Sequence, residues 1–182
     1  MDIYKLKFTI LQQEILRFLF IRSGMSFNER GLAKSLDVSP TAISNSLEKL
    51  EKEGWIVVIK DKESKRLSIE LNKNNHKIFQ FKRTENLKMI YECGIVWYLS
   101  ERFPGTTIVL FGSYSTGEDT FLNSDIDLAI IGSKEKKINT TLWEVKLERP
   151  ISLNFYEDFK SINKHLKENI CNGIVLKGAI QL

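Results

Sequence analysis

Cysteine is scarce in this 182-residue chain: Cys93 and Cys171 are the only two. They are too few and too far apart for a disulfide framework or a metal cage, and read as free thiols packed in the interior. No apolar run reaches the length of a membrane span. The opening MDIYKLKFTILQQEILRFLF is interrupted by Lys5, Lys7, Gln12, Gln13, Glu14 and Arg17, so it does not read as a secretory leader. A cytoplasmic protein is expected. Internal repeats and low-complexity segments are missing, and neither sign of charge dominates. Residues 1–72 carry 12 Lys/Arg against 10 Asp/Glu, residues 73–105 carry 6 against 3, and residues 106–182 carry 9 against 10. A weakly basic front of this kind can help to hold a polyanion without establishing that it does.

What is present falls into two patterns. In the first, Leu11, Ile15, Phe18 and Leu19 recur at helical spacing. NERGLAKSLDV gives a second short helix with Leu32, Ala33 and Leu36 inward. SPTAISNSLEKLEKEGW gives a third, with Ser39 as N-cap, Pro40 at the first helical position and Gly54 as the stop. Ile43, Leu47 and Leu50 form its inner stripe. Two β-rich runs around a mostly charged turn follow in WIVVIKDKESKRLSIEL. Three helices and a hairpin, with the short glycine-free turn LDVSP between helices two and three, resemble the winged helix-turn-helix domains of bacterial and archaeal transcription regulators.

With the inner stripe assigned, Thr41, Ser44, Asn45 and Glu48 remain on the outer face of the third helix. Hydroxyl and amide side chains there can reach base edges or phosphates of double-stranded DNA. Lys60, Lys62, Lys65 and Arg66 at the hairpin tip are placed for phosphate. The alternative is a domain that makes only protein contacts; Glu48, Glu51 and Glu53 favour it, because they oppose a DNA backbone. Residues 74–100 then keep a largely helical rhythm through Ile78, Phe81, Leu87, Ile90, Ile95, Val96 and Leu99, until Pro104 and Gly105 break it.

The second pattern is FGSYSTGEDTFLNSDIDLAII, residues 111–131. TTIVLF reads as a buried strand that delivers Gly112 and Ser113 into a short helix or turn. Gly112 has no Cβ, so backbone can approach an anion closely; Ser113 adds a hydroxyl, and the free amides of the turn point the same way. SDIDLAII reads as a strand that puts Asp125 and Asp127 on one face. Two carboxylates two residues apart repel each other, and a divalent cation relieves that repulsion; Mg²⁺ prefers hard oxygens shared with substrate phosphates. The plain alternative is a strand end with two solvated aspartates.

Gly112-Ser113, Gly117 and Ser124-Asp125-Ile126-Asp127-Leu128 together resemble the signature of the DNA polymerase β-like nucleotidyltransferases. The minimal group, with relatives of kanamycin nucleotidyltransferase and antitoxins that AMPylate a partner toxin, is the most similar. The resemblance implies a mixed sheet flanked by helices, NTP and Mg²⁺ as ligands, and transfer of a nucleoside monophosphate with loss of pyrophosphate. It implies that Gly112 and Ser113 hold the triphosphate and that Asp125 and Asp127 hold the metal. It also implies a third carboxylate on a later strand. The matching run here, ISLNFY, offers Ser152 and Asn154, neither of which is a general base at neutral pH. Glu148 and Glu157 lie just outside it.

The expectation is thus an α+β chain. A winged helix over residues 1–72 and a linker helix over 73–105 precede a nucleotidyltransferase-like domain over 106–182. Two functional readings follow. One is a DNA-binding regulator that binds NTP, with ATP as first choice, and Mg²⁺, and transfers NMP to a hydroxyl of a protein, nucleic acid or small molecule. The other is a degenerate nucleotide sensor, or an antitoxin-like module with a toxin partner. A homodimer is compatible with each.

Overall fold

The computed structural model describes residues 4, 6–60 and 67–180. The chain divides into two compact units, Met1–Ile78 and Phe79–Leu182.

In the first unit, local capping sets the helix starts. Thr9 begins α1 (Ile10–Ile21): its hydroxyl accepts from the Gln12 amide while the Gln12 side chain accepts from the Thr9 amide. Asn28 caps α2 (Glu29–Ser35), and Ser39 caps α3 (Pro40–Lys52), with Pro40 where its missing N–H leaves no bond unmade. The α2–α3 turn manages without glycine because Asp37 itself takes the left-handed conformation, φ +53°. Gly54, at φ +74°, ends α3, and the Asn72 and Asn75 side chains donate to its carbonyl at 3.0 and 2.9 Å. β1 (Ile56–Lys60) and β2 (Leu67–Leu71) pair antiparallel as a wing, joined by one bridge from Phe27 to Ile69. Ile15, Leu19, Leu32, Ile43, Leu47, Leu50 and Trp55 form a single buried core, with Leu11, Phe18 and Leu36 at its margin. Fully burying such side chains is worth about 1.5–3 kcal/mol each, so packing, more than any one cap, holds the unit.

The helical rhythm over residues 74–100 resolves into two helices, α4 (Lys77–Glu92) and α5 (Ile95–Arg102). Gly94, left-handed at φ +85°, separates them. Then follow β3 (Thr107–Phe111), α6 (Gly112–Thr116), β4 (Ile126–Ile131), α7 (Thr141–Leu147), β5 (Ile151–Tyr156), α8 (Lys164–Cys171) and β6 (Ile174–Lys177). The sheet order is β5-β4-β3-β6; β4 runs parallel to β5 and antiparallel to β3, and β6 is antiparallel to β3. β3 and β4 are central and buried on both faces, which is why both read as nearly unbroken apolar runs. One face, through Val109, Phe111, Ala129 and Ile131, packs on Phe159, Ile162 and Ile170.

The segment after α8 is an edge strand whose four residues alternate half-buried and exposed, a run too short to distinguish by pattern. One expectation changes. The thiols are not interior: Cys93 is half-buried and Cys171 exposed. Ile170 occupies the inner stripe of α8, so the residue after it turns outward. Among the described residues no helix is long and apolar enough to cross a membrane.

Candidate nucleotide and nucleic-acid sites

The strand directions bring the C-terminal end of β3 against the N-terminal ends of β4 and β5. Phe111 pairs with Asp127, and Asp127 with Ser152. At that junction Gly112, φ +72°, turns the chain into α6. A Cβ on Gly112 would lie 2.6 Å from the Asp127 Oδ2 atom, so the glycine is needed for backbone conformation and for room beside a carboxylate. The first turn of α6 has no side-chain cap, because its N-cap position is Phe111. Phe111 leaves the leading amides without a capping side chain of its own, and uncapped helix-start amides can meet an anion. Ser115 and Thr116 turn their hydroxyls back onto the carbonyls of Gly112 and Ser113 at 2.8 and 3.0 Å. The half-buried Ser113 hydroxyl makes no such bond among the described residues. Gly117 has a different purpose: a Cβ there would run into the Phe79 carbonyl and the Arg83 amide of α4.

Asp125 is exposed just ahead of β4 and Asp127 is half-buried at its second residue. Burial, and secondarily the charge of Asp125, hold the Asp127 carboxyl above the usual carboxylate range. Neither forms a salt bridge among the described residues, and no third His, Cys, Asp or Glu joins them in a metal-sized cluster. The position beside Asp127 is occupied by Ser152, and Asn154 follows on the same face of β5, its Nδ2 donating weakly to Ser152 Oγ at 3.3 Å. Glu157 lies beyond the opposite end of β5, about 16 Å along the strand from Ser152, near Lys134 at 4.0 Å. It also lines a cavity of about 520 Å³ with Gly105, Thr107, Gly132 and Lys160. That cavity belongs to the far end of the sheet and has no part in the Asp125–Asp127 site. Glu148 is at the near end, exposed in the turn before β5 at φ +51°.

Two features escaped the sequence reading. Tyr156 shares the β5 face with Ser152 and Asn154; burial raises its phenol, and the Asp127 charge adds to the effect. The second is a buried polar cluster around Asp119. Lys82 lies 2.6 Å from Asp119 Oδ1, and both side chains are about 1% exposed. Lys82 also donates to the Asp119 carbonyl. Asn86 donates to Asp119 Oδ1 at 2.8 Å and to the Tyr114 carbonyl at 2.9 Å. Arg149 approaches Asp119 Oδ2 at 3.5 Å and stacks on Phe121. Nothing local distinguishes Asp119 from its exposed neighbour Glu118, so the sequence held no signal for it.

In the first unit, Thr41, Ser44 and Asn45 are exposed on α3, with Glu48 on the same face. Lys60 is exposed at the end of β1; Lys62, Lys65 and Arg66 lie outside the described residues. Of the opposing acids, Glu53 is engaged by Lys7 at 3.5 Å and by the Trp55 indole at 3.2 Å.

Residues 92–175 match the family described as nucleotidyltransferase domain, and residues 8–68 match the MarR family. Solved structures to which part of this chain is similar include MepR of Staphylococcus aureus, a transcription regulator of the multidrug efflux pump MepA. It is 24% identical, over 53% of this chain and 69% of that one, at a TM-score of 0.41. A MepR–DNA complex from S. aureus is 21% identical over 52% and 77%, at 0.39. The adhesin competence repressor AdcR of Streptococcus pyogenes is 21% identical over 53% and 69%, at 0.41. At such scores these likenesses carry no argument. No curated protein matches the chain.

Proposed function

Starting from a MarR-type winged helix joined to a nucleotidyltransferase domain, we propose that the protein is a DNA-binding regulator whose second domain binds a nucleoside triphosphate, ATP first, with Mg²⁺. Transfer of NMP from that site is slow or undetectable. The observation that carries this reading is the meeting of an uncapped helix turn at Gly112–Ser113 with the uncompensated Asp125–Asp127 pair. Gly112 and Ser113 hold the triphosphate, and Asp125 and Asp127 hold the metal. The donor set suits it: two hard carboxylates whose mutual repulsion a divalent cation removes. Bound there, Mg²⁺ neutralises charge on phosphate oxygens.

The weak link is the acceptor side. Ser152 stands in register with Asp127, and neither it nor Asn154 takes a proton from a hydroxyl at neutral pH. General-base help is worth about 10²–10⁴-fold. Calorimetry with Mg·ATP and transfer of labelled AMP test both halves. Binding with little transfer is expected, and Ser152→Asp should raise whatever transfer exists. Brisk wild-type transfer would overturn the reading.

For DNA, α3 contributes Thr41, Ser44 and Asn45 to the groove, and the wing contributes Lys60, Lys62, Lys65 and Arg66 to phosphate, as a homodimer on a two-part site. Lys65 and Arg66 replaced together by Ala should weaken all sequences alike, whereas Ser44 and Asn45 replacements should blur preference. Gel shifts that show no affinity at low salt from folded protein would remove this half.

A further inference from the structure

We infer that Asp119 is a positioning residue: its buried carboxylate fixes the spacing between the Gly112–Ser113 turn, the Asp125–Asp127 pair and the start of β5. The inference rests on the nucleotide reading of that site for its consequence, though not for its geometry. Asp119 lies in the loop between α6 and β4, the stretch that separates the two halves of the candidate site. Three of its contacts come from outside that loop, each from a segment that needs to be held. Lys82 and Asn86 anchor it to α4. Through its second bond, to the Tyr114 carbonyl, Asn86 links the same anchor to α6. Arg149 connects it to the turn that leads into β5. Next to Arg149, the Pro150 carbonyl accepts from the Ile126 amide, between Asp125 and Asp127. One carboxylate therefore joins the phosphate-binding turn, the metal-binding strand start and the strand beside it.

Charge is the right device for this. A buried ion pair with good hydrogen bonds adds less to net stability than apolar packing of the same volume would, yet it is directional, and each partner has one favourable place. Within the loop Leu122 and Asn123 are exposed, and the Thr120 amide donates to Ser124 Oγ at 3.0 Å. Gly117 lets α4 come close enough for Lys82 to reach.

The test uses the full chain and two measurements: amide hydrogen exchange without nucleotide, and Mg·ATP affinity by calorimetry. Arg149→Met removes the Arg149 contacts with Asp119, Phe121 and the Glu148 carbonyl but leaves the Lys82–Asp119 pair in place, so it should fold even if Asp119→Asn does not. Expected is faster exchange confined to residues 118–127 and 150–153, with α8 and β6 protected as in wild type. Removing partners that orient metal ligands typically costs about 10–100-fold in affinity, and a loss of that order in Mg·ATP binding is expected. Arg149→Lys should recover part of both. A uniform loss of protection that follows the melting temperature, or unchanged exchange around Asp125, would overturn the inference. Local loosening in a protein whose wild type binds no Mg·ATP would leave the inference standing and remove the nucleotide reading instead.

Discussion

Asp119 and Asp127 stand eight positions apart, and the fold treats them in opposite ways. Asp119 is almost wholly buried and surrounded by Lys82, Asn86 and Arg149. Asp127 is half-buried, faces another carboxylate and has no cation among the described residues. A compensated buried charge is part of the architecture, whereas a carboxylate held near a like charge incurs a standing cost that a ligand can remove. The difference separates a residue that builds the proposed site from one proposed to act in it.

The comparison can be broken most severely at Gly112. Gly112→Val places a branched side chain where Asp127 Oδ2 lies and forces a β-branched residue into positive φ. Complete loss of Mg·ATP binding by calorimetry is expected from a chain that still folds; equal affinity would put the nucleotide elsewhere. Asp119→Asn comes next. It leaves buried cations short of their counter-charge, and a loss of about 3–5 kcal/mol is expected in chemical denaturation. A loss under 1 kcal/mol would mean that the cluster is not what holds the loop.

Ser113→Ala is milder. One hydrogen bond to a charged phosphate oxygen is worth about 1–3 kcal/mol, so Mg·ATP affinity should fall without a change in melting temperature. The smallest effect has the opposite sign. The Asp127 carboxyl is raised in the folded protein relative to the unfolded chain, so the folded state binds that proton more tightly. At neutral pH Asp127 is charged in both states and the folded state carries the penalty. The penalty is relieved as pH falls through the raised value. Asp127→Asn should therefore raise the apo melting temperature slightly at pH 7, and the gain should shrink on acidification. Metal affinity of the wild type should weaken in the same window, beginning above the ordinary carboxylate range. A variant that melts lower at pH 7 would contradict the account of Asp127 as an uncompensated charge.

Much of this was legible from residue order. Ser39 and Pro40 start α3 by contacts within four residues, and Ile43, Leu47 and Leu50 repeat at helical period. Gly112-Ser113 and Asp125-Ile126-Asp127 could be singled out because a turn and an alternating strand place neighbours predictably. The break at Gly94, the strand β6 and the exposure of Cys171 were harder, since each depends on what a short segment packs against.

By itself, then, the sequence determined the two element patterns and the residues able to meet a phosphate or a cation, because these follow from local backbone preference and side-chain chemistry. The tertiary structure alone decided that Ser152, of the two polar residues on β5, pairs with Asp127, that Glu157 belongs to the other end of the sheet, and that Gly112 makes room for Asp127. It alone chose Asp119 over Glu118 as the buried anchor. Strand register and the burial of charge arise from contacts between residues far apart in the chain, and no local pattern encodes them.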